Sequence, residues 1–162
     1  MKKVCIIGCF ADTFDLLNGQ TVKTKIVYKE LEKSIGCDEV MKIDTYGGVK
    51  TLVKTPIIVL NALKSAQNII ILPAENGLRI IVPFLIGLNR VFKRNIYYDV
   101  IGGWLPEFVK KRKWLGIFLK KINSIFVSDR MPTCTLGSFI IVLLCVVLVY
   151  ETHLCPDRLL RV

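Results

Sequence analysis

IIILPAENGLRIIVPF, residues 69–84, sets a fully apolar β-rich run against a turn and then a helical pattern. Ile69 to Leu72 has no alternation of polar and apolar residues, which suits a strand buried on both faces, and Pro73 ends it. Leu78 to Phe92 then carries apolar residues at helical spacing and reads as a mostly buried helix. A strand covered on both sides needs helices above and below it, so this stretch predicts a layered α/β fold.

The same grammar extends in both directions. Strands are expected at Val4 to Ile7, Val40 to Ile43, Ile96 to Ile101 and Ile125 to Val127. Helices are expected at Gly19 to Ile35, with Val22, Ile26 and Leu31 on the inner side, at Leu52 to Ala66 despite Pro56, and at Trp114 to Ile122. Strand and helix repeated four times imply a Rossmann-like three-layer α/β domain, a parallel sheet with helices on both faces. Ligands of such sheets bind beyond the carboxyl ends of the strands.

Composition narrows the partners. The formal charge of +10 lies entirely before residue 131, because Glu151, Asp157, Arg158 and Arg161 cancel in the last 32 residues. That balance suits anionic partners, and no nucleic-acid-binding motif accompanies it, so nucleic acid is not expected. Six cysteines without C-x-x-C spacing indicate reduced thiols and a cytoplasmic setting. His153 is the only histidine, so no metal site is expected. The opening MKKVCIIGC resembles a lipoprotein signal, but its apolar run is too short for a secretory core. After Arg130 the texture changes: residues 131–150 carry no formal charge and end in FIIVLLCVVLVY. We therefore divide the chain into a domain at 1–130 and a hydrophobic tail at 131–162. The tail suits a buried strand or an apolar appendage better than a membrane helix, its apolar core being 12 residues long.

Candidate site residues lie in the loops after strands. Gly19 and Gln20 stand at a helix start, where backbone amides attract anions; Asn18-Gly19 is equally an ordinary turn pair. Glu75 and Asn76 follow a buried strand, where Glu75 can accept from a sugar hydroxyl, act as a general base, or simply cap the next helix. Gly102, Gly103 and Trp104 form an open backbone patch beside a flat aromatic face that fits a sugar ring or a lipid interface, with core packing of Trp104 as the competing reading. Asp99, inside the strand, reads as structural. Lys110, Lys111, Arg112, Lys113 and Trp114 open a basic amphipathic stretch, either facing an anionic membrane or covering the sheet with solvated lysines.

Taken in order, NGQTVKT, IIILPAENGLRIIVPF and YYDVIGGWLPEFV resemble the N-terminal domain of GT-B-fold bacterial glycosyltransferases of the family 4 type, used in capsular and other surface polysaccharide biosynthesis. The resemblance covers residues 2 to 127. It implies the acceptor-side half of a hexosyltransferase that moves a sugar from a nucleotide-sugar co-substrate to a saccharide or lipid-linked acceptor, with no other cofactor. It further implies that Gly19 and Gln20 face the donor diphosphate and that Glu75, Asn76, Gly102, Gly103 and Trp104 line the acceptor cleft. Where relatives place a histidine after the fourth strand this chain has Gly102-Gly103, so no catalytic base carries over. The donor-binding domain of such enzymes has no counterpart, and a truncated or frame-altered gene would account for the changed texture after residue 130. The expected state is inactive without a donor-domain partner, cytoplasmic or peripheral at the inner membrane face. The alternative is a non-catalytic subunit docking on a donor-binding protein or on the membrane.

Overall fold

A computed structural model describes residues 1–12, 18–47, 49–101 and 104–128. The expectations for Gly102, Gly103 and the 131–162 tail lie outside the described residues. Eleven elements follow in chain order: β1 (Lys2–Gly8), α1 (Gly19–Ile35), a 3-10 turn (Cys37–Glu39), β2 (Val40–Asp44), α2 (Val49–Ser65), β3 (Ala66–Leu72), α3 (Glu75–Phe92), β4 (Asn95–Ile101), α4 (Leu105–Lys111), α5 (Lys113–Leu119) and β5 (Ser124–Ser128). The five strands form one parallel sheet in the order β2-β1-β3-β4-β5. The chain is thus an α/β protein of the Rossmann-like three-layer type.

Side-chain alternation along the strands builds two cores. Cys5, Ile7, Ile69, Ile71, Ile96, Tyr98 and Val100 face α2, α3, α4 and α5, meeting Val59, Leu63, Leu78, Leu85, Phe108 and Leu115. Val4, Ile6, Ile70, Leu72 and Tyr97 face the other way and meet Val27 and Leu31 of α1. The split follows from handedness. The chain moves outward from β1 to β2 and then reverses through β3, β4 and β5, so right-handed crossovers put α1 on one face and the later helices on the other.

Two elements differ from expectation. The basic helix expected at 114–122 is the shorter α5, and a second short helix precedes it across a break at Arg112, whose φ of −135° and ψ of 71° are not helical. The first of them, α4, hides in the sequence behind Pro106, which sits harmlessly in a first turn where an N–H is not needed. Helix α1 is rotated from its expected setting: Thr21, Thr24, Val27 and Leu31 are buried, while Ile26 is 40% exposed. Gly36, at a φ of 94°, then turns the chain out of α1 in a conformation that other residues rarely adopt.

The amino end of the sheet is closed by paired polar groups. Asn68 donates to the Lys3 carbonyl and accepts from Asn95 (3.0 and 2.9 Å). Asn89 bonds both the N–H and the C=O of Arg94 (2.7 and 2.8 Å), and Arg94 Nε donates to the Leu63 carbonyl at the end of α2 (3.0 Å). That edge is satisfied and serves stability.

Candidate functional site at the carboxyl edge of the sheet

The strand order reverses between β1 and β3, and a crevice opens at such a switch point beyond the carboxyl ends of the strands. Helix α1 begins there. Asn18 caps it, its Oδ1 accepting from Thr21 N at 2.8 Å, while helical geometry leaves the amides of Gly19 and Gln20 without an intrahelical acceptor. Close approach is built in. A Cβ on Gly8, the last residue of β1, would stand 2.8 Å from Thr24 Cγ2, so glycine is what lets α1 lie this low.

The first two turns of α1 face the sheet with polar groups, each tied to a different strand end. Thr21 Oγ1 lies 3.8 Å from Cys9 Sγ just past β1. Gln20 Nε2 donates to the Leu72 carbonyl at the end of β3 (2.9 Å). Lys23 reaches β4 and donates to Asp99 Oδ1 at 2.6 Å. Asp99 is 1% exposed, and burial pushes its carboxyl above the usual range while Lys23 pulls the other way. Its second oxygen, Oδ2, is buried with no hydrogen-bond partner among the described residues, as is Thr24 Oγ1. Unpaired buried groups therefore sit at the carboxyl edge, opposite the satisfied amino edge. We expect Thr24→Val to leave stability unchanged or raise it by up to about 1 kcal/mol, because an unpaired hydroxyl is exchanged for a methyl of the same shape. A urea titration showing a loss above that size would reveal a hydroxyl partner.

The adjoining loop is held from β2. Asp44 accepts from Phe10 N at 2.9 Å and from Tyr46 N at 2.8 Å. It anchors Ala11, which is buried at a φ of 48°, a strained setting for a residue with a Cβ. Burial disfavours the thiolate at both cysteines beside this loop, lifting Cys5 to about 12 and raising Cys9 as well, against the hydrogen bond with Thr21. Among the described residues no group of three or more His, Cys, Asp or Glu could hold a metal ion.

Glu75 and Asn76 are not in a loop as the sequence suggested. They form the exposed first turn of α3, with Ala74 as its cap residue. Trp104 immediately precedes α4, half-buried, and packs edge-on against Phe108 with ring centroids 5.1 Å apart. Parallel topology puts these positions and Gly19 and Gln20 on one edge of the sheet. Lys110, Lys111 and Lys113 are exposed, and Trp114 is 44% exposed. Arg112 departs from the outward-facing expectation: it is half-buried, its guanidinium carbon 4.5 Å from the Phe108 ring centre. Sequence reasoning missed Lys23 as the partner of Asp99, and Arg79, whose guanidinium carbon lies 5.1 Å from the same ring. No local pattern links residues 76 and 29 positions apart. No described helix is long and apolar enough to cross a membrane. Comparison with family models, with curated proteins and with solved structures finds no match to this chain.

Proposed function

We propose that this chain is the acceptor-side half of a two-domain GT-B-type sugar transferase, in which a saccharide or lipid-linked acceptor lies along the carboxyl edge of the sheet. The observation that carries the reading is the Gln20 to Leu72 hydrogen bond. It ties the first turn of α1 to the end of β3, next to the turn bearing Glu75 and Asn76. Gly19 and Gln20 would face the diphosphate of a nucleotide-sugar co-substrate held by a donor-binding domain, and Glu75 and Trp104 would take the acceptor. A carboxylate accepting from sugar hydroxyls beside an indole face is the usual chemistry of carbohydrate recognition. Transfer itself would need the donor side, where most of the leaving diphosphate is stabilised.

The basic and apolar exposure of α4 and α5 supports a peripheral position on an anionic membrane, where a lipid-linked acceptor would be met. Lysines spread on the headgroup layer while Trp114 and Ile117, the latter 63% exposed, enter its boundary.

Saturation-transfer NMR with a panel of neutral and acidic saccharides tests the acceptor reading. Binding is expected in the millimolar range, with Glu75→Gln and Trp104→Ala each weakening it about tenfold, the worth of one good polar or stacking contact. Glu75→Gln, at an exposed site, should not shift the melting temperature. Saccharide signals that persist in both variants, or their absence across the panel, would remove this reading.

A further inference from the structure

We propose that Arg79 and Arg112, stacked on the single ring of Phe108, form a clamp for the phosphate of a membrane lipid headgroup. Their guanidinium carbons lie 5.1 and 4.5 Å from the ring centre, so the two cations are no farther apart than those distances together. A phosphate at the rim of the ring can take N–H groups from both. Phe108 is 5% exposed and braced by Trp104, which fixes the platform on which the cations rest. Three ion pairs occur among the described residues, Lys23 with Asp99, Lys33 with Glu30 and Lys42 with Asp12, and none involves either arginine. Arg79 Nε is buried and has no acceptor among the described residues.

Two partly desolvated cations held on one ring, with no carboxylate paired to either among the described residues, repel each other, and stacking offsets only part of that cost. An incoming anion removes both the repulsion and the orphaned donor. Guanidinium forks match phosphate oxygens in pairs, which ammonium groups do not. The surroundings point to a lipid as the carrier of that phosphate. No acid occurs between Phe108 and Ile122, where Lys110, Lys111, Lys113, Lys120 and Lys121 add further positive charge. The exposed Trp114 and Ile117 beside them suit the headgroup boundary, which a soluble phosphate would not require. The inference rests on the peripheral-membrane reading above and adds a defined headgroup site to it.

Co-sedimentation of the whole chain with vesicles of pure phosphatidylcholine, and of equimolar phosphatidylcholine and phosphatidylglycerol, tests it. The protein should pellet with the mixed vesicles only. Arg79→Gln with Arg112→Gln should weaken that binding by about two orders of magnitude, and Arg112→Lys alone by about tenfold, since the charge remains but the fork is lost. Lys110→Gln with Lys111→Gln removes the same formal charge and should cost less than the arginine pair. Urea titration of each variant confirms that it is folded, and Arg112→Lys serves where the double variant is not. Equal losses from the arginine and lysine pairs would overturn the clamp, as would arginine variants that bind like wild type. If those variants bind normally while Trp114→Ala with Ile117→Ala abolishes binding, the membrane reading survives alone. Wild-type protein that ignores both vesicles, or that is stabilised by inorganic pyrophosphate without pelleting, overturns the lipid assignment altogether.

Discussion

Replacing Lys23 by methionine should destabilise the protein by about 3–5 kcal/mol at neutral pH, the usual cost of leaving one member of a buried ion pair uncompensated. Among the described residues Lys23 alone is a cation paired with Asp99, whose carboxylate is 1% exposed and has one oxygen with no partner among them. The pH dependence has a definite sign. Burial raises the carboxyl of folded Asp99 above its unfolded value near 3.9, so the folded state holds the proton more tightly than the unfolded chain. The penalty of the bare carboxylate is absent below the unfolded value and grows as pH rises through the folded one. Losing Lys23 lifts that folded value further. The deficit of Lys23→Met should therefore be larger at pH 7.5 than at pH 4.5, and Asp99→Leu in the same chain should recover most of it. A deficit below about 1 kcal/mol at pH 7.5, or one that deepens on acidification, would show that Asp99 is not ionised in the folded protein.

Leu78→Ala is expected to cost about 2–5 kcal/mol. Leu78 is fully buried one turn into α3 and lies in the larger core beneath the exposed turn that carries Glu75. Truncating it removes apolar burial and leaves a cavity that β3 and α2 cannot collapse to fill, because close-packed interiors relax only in part. Val91→Ala in the same helix, at a side chain 79% exposed, should change stability by no more than about 0.5 kcal/mol. Both are read from urea midpoints at constant slope. Comparable shifts for the two would mean that α3 does not pack as described.

The strands and the first three helices are legible in the sequence because their cues are local. Apolar runs such as Ile69 to Leu72, the stop at Pro73 and the helical spacing after it act within one element. Helix α1 shows where that reading fails. Its apolar Val22 and Ile26 suggest one inner face, yet the structure turns Thr21 and Thr24 inward, since the strand ends beneath its first turns offer polar groups and a glycine rather than a greasy surface. The orientation of a helix depends on what it meets, and that is set by residues far away in the chain. The same holds for Phe108 with its two arginines, contributed by α3 and by the break between α4 and α5. Glu75 fell on the expected edge but in a helix, because a first turn tolerates the same residues as a loop.

The position of β1 has a consequence for biosynthesis. It leaves the ribosome before either of its neighbours, yet it ends up inside the sheet, paired with β2 on one side and with β3 on the other, where Lys2 aligns with Ala66. At roughly 5–20 residues per second, some 3–13 s separate its emergence from that of its second neighbour. Until then an apolar edge made by Val4, Cys5, Ile6 and Ile7 stays open to other nascent chains. The two lysines at its start, by repelling like copies, are well placed to guard that interval.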